Sequence, residues 1–272
     1  MLFRAHYALP PMNTVDGTPT SALYGFSVLL IKLLREQKPS AVGFAADTGA
    51  ARARVERYPE YKAGRPPMPD GLAGQLRRFP EIPKALGMPV HWAPPELEAD
   101  DVLASAASRG RSLVVSGDRD LLQLASDDVD VLFVGQRAKD HVRYDRAKVT
   151  ERYGVEPEQL PTITALVGDS SDNLPGLTGV GVKTAARWVR EHGTIDGILA
   201  AVGELKPVRL RDAVSSAAEQ LRLSEDLATL RRDVELTDPI AAPITGAGLD
   251  ALAVLFETLE FKSLIPRLEK LR

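Results

Sequence analysis

The chain has 272 residues, 44% of them apolar and 26% charged, which is the ordinary range of a globular protein with one large domain or two small ones. It contains no cysteine, which excludes disulfides and cysteine-held zinc, and its four histidines (His6, His91, His141 and His192) lie too far apart to give a metal-ligand spacing. The net charge of −3 hides an asymmetry: residues 52–90 carry eight Lys/Arg against four Asp/Glu, and residues 96–172 carry nine against sixteen.

Thr18-Pro19 reads as a helix start, a capping hydroxyl followed by proline at the first helical position. Ala22, Leu23, Phe26, Leu29, Leu30, Leu33 and Leu34 then recur at helical spacing until Lys38-Pro39. Residues 41–46 read as a short buried strand with Asp47 at its carboxyl end. Residues 52–72 are polar, basic and proline-rich, and bury little by themselves. A helix is expected over 75–86, with Gly87 as its stop. A strand follows over 90–92, a helix over 98–107, a buried strand over 112–116 running into Gly117-Asp118, and another strand over 129–134. Strands alternating with helices imply a mainly parallel sheet, whose sites form beyond the carboxyl ends of the strands. The remainder is mostly helical. Its glycine-rich turn, residues 176–184, leads into a helix over 185–192 and lacks the Gly-Lys-Ser/Thr order of a P-loop, because Val182 separates Gly181 from Lys183.

Seven acids fall into three clusters, Glu98-Ala99-Asp100-Asp101, Asp118-Arg119-Asp120 and Asp169-Ser170-Ser171-Asp172, with Asp47 alone upstream. Each cluster alone fits a helix start or a turn. Gathered at strand ends, the carboxylates would repel one another, and a hard divalent cation such as magnesium or manganese offsets that cost. The pattern therefore points to a metal centre acting on phosphates, with the preceding basic segment available to phosphate oxygens.

Several pieces in order resemble the 5′-nuclease family, the flap endonuclease-like 5′-3′ exonucleases found alone or as the N-terminal domain of bacterial DNA polymerase I. They are Leu23-Tyr24-Gly25-Phe26, Tyr61-Lys62-Ala63-Gly64-Arg65, the three acidic clusters, Asp169 to Gly176, and the glycine-rich turn through Lys183-Thr184-Ala185. The resemblance implies an α/β fold of PIN-like type: a central, mainly parallel sheet flanked by helices, a helical arch, and a C-terminal helical lobe. It implies a nuclease core over 1–160 that includes the arch at about 52–86. The lobe over 161–272 would carry a helix–three-turn–helix, a helix-hairpin-helix device, at about 163–193.

By position, Asp47, Glu98, Asp100, Asp101, Asp118, Asp120, Asp169 and Asp172 fall on the family's metal ligands for two Mg2+ or Mn2+ ions. Lys62, Arg65 and Arg4 fall on its catalytic cations. Tyr24, Arg54, Lys62, Arg65, Gly179, Gly181, Lys183 and Thr184 would touch DNA, with a potassium ion at the glycine-rich turn. The implied activity is structure-specific hydrolysis of DNA phosphodiesters at 5′ flaps, nicks and branched ends in replication and repair. Replication or repair proteins are the expected protein partners, in a bacterial, nucleoid-associated, cytoplasmic setting. No signal-peptide core is evident, and the longest apolar run, residues 26–34, is interrupted by Lys32 and too short to cross a bilayer. The family opens with a strand ending in Asp-Gly just before the piece matched by Phe3-Arg4-Ala5. That strand and its ligand would precede Met1: either the start is misassigned or truncated, or the ligand is lost, and the last case carries an alternative, a non-catalytic binder of branched DNA. A phosphatase reading finds no nucleophilic aspartate motif.

Overall fold

The computed structural model describes residues 1–49, 51–135 and 141–272. Helix α1 (Leu2–Ala8) packs on the long α2 (Ser21–Gln37). The second helix starts later than Thr18-Pro19 suggests: Pro19 instead bridges to Asn13. The first free amides of α2 are satisfied by a distant side chain, since Ala22 and Leu23 both donate to Oε1 of buried Gln75, at 2.7 and 3.2 Å. Lys38, in the left-handed region at φ 45°, closes the other end by donating its amide to Leu34.

The strands are β1 (Phe44–Ala46), β2 (Val90–Trp92), β3 (Ser112–Ser116), β4 (Val129–Phe133) and β5 (Val142–Tyr144). They form two small sheets where one central sheet was expected. One is β1–β2, parallel, with Phe44 opposite Val90. The other is β3–β4–β5, with β3 and β4 parallel from Ser112↔Val129 to Ser116↔Phe133 and β5 antiparallel to β4. Among the described residues no strand joins β1 to β3. The chain's first residues are helical and lie against α2.

Between β1 and β2 lie α3 (Arg52–Arg57), a run of turns, α4 (Leu72–Arg78) and α5 (Glu81–Ala85). The helix expected over 75–86 breaks in two at Phe79-Pro80, where proline supplies no amide to the ladder. Helix α6 (Ala99–Ala107) precedes β3. Beyond β5 come α7 (Arg146–Tyr153), α8 (Leu160–Val167), α9 (Val182–His192), α10 (Ile195–Ala200), α11 (Arg211–Ser216), α12 (Ala218–Ala228), α13 (Gly246–Thr258) and α14 (Ile265–Leu268).

Two cores hold these elements. The larger joins the β3–β4 sheet to the helical lobe around Leu121, Val131, Leu166, Trp188 and Ile198. The second joins α2, α4 and α5 to α13 and α14 around Phe26, Leu72, Ile82, Phe256 and Phe261. Each such fully buried side chain contributes about 1.5–3 kcal/mol of transfer free energy. The last helices thus pack on the core of α2, α4 and α5 and not within the lobe, so the lobe is the stretch up to α12 and the chain then returns to this second core. No described helix is long and apolar enough to cross a membrane.

Candidate metal centre

Four backbone devices bring the acids to one place. Strand β1 ends at Ala46, and Asp47 follows; its Oδ1 accepts the Ala99 amide at 2.7 Å, so it caps the next acidic segment. Glu98 is the N-cap of α6 and forms a reciprocal capping box with Asp101. Strand β3 ends at Ser116, whose Oγ accepts the Asp118 amide at 3.0 Å, and Asp118 Oδ1 in turn accepts the Asp120 amide at 3.0 Å. Helix α8 stops at Gly168, held at φ +85°, and the turn beyond it closes through paired Asp169–Leu174 backbone bonds that project Asp169 and Asp172.

The carboxyls form a graded row. Burial first, then the charges of Asp118 and Glu98, push the Asp100 carboxyl up to about 7, with Asp47 adding to the shift. Burial first, then Asp118, Asp169, Asp172 and Asp100, push Asp120 up to about 8. Asp118 is the leading charge on both. Burial and like charge together disfavour the ionised row, and that strain is what hard cations relieve.

A basic turn leans over this row. After α3, Tyr61 is buried and its hydroxyl donates to Glu98 Oε2 at 2.9 Å and Asp172 Oδ2 at 2.8 Å. Burial, then the two carboxylates, push the Tyr61 phenol far above its ordinary range. Lys62, at φ 58°, places its ammonium on Glu98 and 3.6 Å from Asp172. Its amide donates to the Asp172 carbonyl at 3.1 Å. Arg65 Nη2 donates to Asp172 Oδ1 at 2.9 Å. Asn173 Nδ2 donates to the Glu60 carbonyl at 2.8 Å, so the turn is also stitched on from the other side. Tyr61 has no signal in the sequence that marks it as part of the centre, because its role depends on the distant Glu98 and Asp172 carboxylates.

The candidate residues do not all converge. Asp101 is fully buried and faces away from the row. Arg54 Nη1 and Nη2 donate to its two oxygens at 2.6 and 2.8 Å, and the Glu98 and Arg231 amides take the remaining lone pairs. Burial pushes its carboxyl up, but the Arg54 bonds and charge outweigh that and hold it below the usual range. This geometry bears on two expectations. Asp101, expected among the metal ligands, has its lone pairs engaged by Arg54, Glu98 and Arg231. Arg54, expected on DNA, is buried, and Asp101 and the other nearby anions hold its pKa high against burial. Tyr24 packs edge-on against Phe261 and shares a 2.9 Å hydroxyl bond with Ser263, a packing contact at the α2 core. Arg4 donates to the Gly117 carbonyl and lies over the Phe133 ring, one residue from Asp118.

The expected helix–turn–helix is α8, the turn and α9. Gly179 sits at φ +83°, and Gly181 occupies the capping position of α9, where it brings no side chain to the free amides and a Cβ would meet nothing within 4 Å. Lys183 is exposed in the first turn of that helix. The end presents amide donors and a cation on one outward face.

The donor set fits hard divalent cations. All the converging groups are carboxylates, and two of them hold their protons unusually late. Among the described residues, however, no three acidic or histidine side chains are placed so as to hold a metal ion together. Glu98 and Asp172 are drawn instead to Tyr61, Lys62 and Arg65, and Asp101 to Arg54.

Residues 1–154 match the family described as 5′-3′ exonuclease, N-terminal resolvase-like domain, and residues 155–246 match 5′-3′ exonuclease, C-terminal SAM fold. The chain is 41% identical over 276 residues to DNA polymerase I of Mycobacterium tuberculosis, covering 98% of this chain and 30% of that protein. It is 37% identical to DNA polymerase I of Bacillus caldotenax, covering 98% and 31%. The chain thus spans less than a third of the length of these curated relatives. Among solved structures, T5 5′-exonuclease with bound zinc matches with a TM-score of 0.64 at 20% identity, covering 99% of this chain and 95% of that one. Human GEN1 in complex with Holliday junction DNA matches with a TM-score of 0.67 at 16% identity, covering 99% and 68%. At such identities the two establish a shared fold.

Proposed function

The chain belongs to the 5′-3′ exonuclease family, and on that premise we propose that it is a structure-specific 5′-3′ exonuclease and flap endonuclease, hydrolysing DNA phosphodiesters at 5′ flaps, nicks and branched ends. The observation that carries the reading is the row from Asp47 and Glu98 through Asp100, Asp118 and Asp120 to Asp169 and Asp172, with Asp100 and Asp120 raised to about 7 and about 8 by burial and then by the neighbouring carboxylates, Asp118 first. Glu98, Asp100 and Asp118 would hold one Mg2+ or Mn2+ ion, with Asp47 beside them. Asp118, Asp120, Asp169 and Asp172 would hold a second. When bound, the ions supply charge to the attacking and leaving oxygens and make a neutral-pH water nucleophile available.

The chain's own residues do the rest. Lys62 and Arg65 exchange their carboxylate partners for the non-bridging oxygens of the scissile phosphate, holding it over Asp118. Arg4, beside Gly117, adds positive potential on the same side. Tyr61 keeps Glu98 and Asp172 at a fixed separation while the cations turn to phosphate. The first amides of α9 and Lys183 grip the duplex backbone several residues away, with a potassium ion at the glycine-rich turn. Contacts of this kind position DNA without reading its bases, so selectivity rests on shape. Work in bacterial replication and repair, in the cytoplasm near the nucleoid and alongside replication or repair proteins, belongs to the same reading. A 5′-labelled flap substrate tests it. Cleavage leaving 5′-phosphates in magnesium and none in EDTA is the expected result. Flap binding with no cleavage in either magnesium or manganese would overturn it.

A further inference from the structure

We infer that Arg54 and Asp101 are a positioning pair, and that Asp101 holds the metal centre in shape without touching a cation. The inference rests on the nuclease reading and narrows its ligand set. Both members are almost wholly buried, Arg54 at 7% and Asp101 at 0% exposure. The pair is bidentate, with Nη1 on Oδ2 at 2.6 Å and Nη2 on Oδ1 at 2.8 Å.

The pair's other bonds show what it holds. Asp101 Oδ2 also accepts the Glu98 amide at 3.0 Å, which fixes the backbone of the residue whose side chain leads into the acid row. Arg54 Nη1 stands 3.4 Å from Glu98 Oε2, steering that carboxylate from behind. Asp101 Oδ1 accepts the Arg231 amide at 2.9 Å, and Arg54 Nε donates to the Leu227 carbonyl at 3.1 Å. Residues 227 and 231 lie where the chain leaves α12, so the pair ties three segments together: the base of the basic turn, the head of α6 and the exit from the helical lobe. All four Asp101 lone-pair directions are taken, and a cation would have to break the buried bidentate contact to gain one oxygen.

The arrangement makes an unusual prediction about suppression. In Asp101→Asn the buried guanidinium loses its charged partner, and the nearest remaining carboxylate is Glu98. Arg54 should then take Glu98 and compete with the metal. A second change, Arg54→Gln, removes that competing charge and leaves only neutral side chains behind Glu98. A lost ligand could not be restored in this way.

The test counts bound Mn2+ by the electron paramagnetic resonance of the free ion, with no DNA and no turnover. The parent, D101N, R54Q/D101N, D100N and R54Q/D100N are compared, each with a melting curve. The parent should bind two ions. D101N should weaken one site at least about tenfold, and R54Q/D101N should regain two sites within about threefold of the parent, the criterion being one decade of affinity. D100N, a proposed ligand, should lose a site whether residue 54 is Arg or Gln. Should D101N not fold, R54Q/D101N carries the test alone. Equal loss in D101N and R54Q/D101N would overturn the inference and make Asp101 a ligand. A parent that binds no Mn2+ would instead overturn the two-cation reading on which it rests.

Discussion

Lys62 is asked to do two opposite things, and a single substitution separates them. Its ammonium lies on Glu98 and 3.6 Å from Asp172, on a side chain only 18% exposed. At that distance and an effective dielectric of about 20, one charge pair is worth about 4–5 kcal/mol before desolvation. Desolvation removes much of this, and a net of about 1.5–3 kcal/mol is the usual range for a hydrogen bond to a charged group. A divalent cation using Glu98 and Asp172 must displace Lys62 and lose that contact. Lys62→Met should therefore tighten Mn2+ binding by about 10–100-fold at about 1.4 kcal/mol per decade. On the proposed function the same change would also remove a donor to the scissile phosphate, and loss of one such donor costs about 10²–10³ in rate. Mn2+ titration of the protein alone, and single-turnover flap cleavage at saturating metal, measure the two effects. Tighter metal with slower cleavage is the expected combination. Weaker or unchanged Mn2+ binding would refute the competition, because a residue that merely supports the fold would lower both quantities together.

Three further outcomes follow from the same geometry. Asp118→Asn should lower cleavage by at least about 10²-fold while flap affinity holds or rises, since one fewer negative charge faces phosphate; a loss under tenfold, about 1.4 kcal/mol, would show that Asp118 does not link the two halves of the row. The folded pKa of Asp120, about 8, lies above the ordinary 3.8, so its protonated form contributes stability that is fully present below about pH 4 and is lost as pH rises through about 8. Melting temperature in EDTA should accordingly fall from pH 6 to pH 9, magnesium should lessen that fall and Asp120→Asn should flatten it; a flat profile for the parent would deny the raised carboxyl. Gly181→Glu, at an exposed position with room for the side chain, should weaken binding to duplex-containing flaps equally for unrelated sequences, as read by fluorescence anisotropy, whereas a sequence-dependent loss would deny a backbone grip.

The parts of the fold that were legible in the sequence are those with a strong local signal. Strand β3 was read at its true bounds because Leu113-Val114-Val115 is a buried apolar run stopped by glycine. Strand β2 and α6 were placed for similar reasons, with Pro94-Pro95 marking the boundary between them. What was not legible depends on distant partners. The start of α2 is set by Gln75, 53 residues away, and not by the local Thr-Pro signal. Strand β5 is three residues long and exists by pairing with β4. The return of α13 and α14 to the core of α2, α4 and α5 is a packing choice that helical periodicity alone does not reveal, since an apolar stripe says that a partner exists without saying which one.

The same distinction explains the candidate centre. Asp118 and Asp120 act at one place because a short turn after β3 folds Asp120 back onto the Asp118 carboxylate. Asp100 and Asp101 are closer still in sequence, yet they part, because consecutive helical residues point about 100° from one another and do not share a face. Once α6 sets Asp100 toward Asp118, Asp101 must turn into the protein, where an unpaired carboxylate would be costly. Arg54 meets it there. A cluster of acids opening a helix therefore cannot deliver every member to one cation, and the member turned inward needs a buried cation of its own. The basic segment supplies both kinds of charge in this chain: Lys62 and Arg65 over the row, and Arg54 behind it, eight residues before Lys62 and buried with Asp101. Composition shows that segment only as an excess of positive charge. Which of its cations lies over the acid row and which faces the interior is decided by the head of α6.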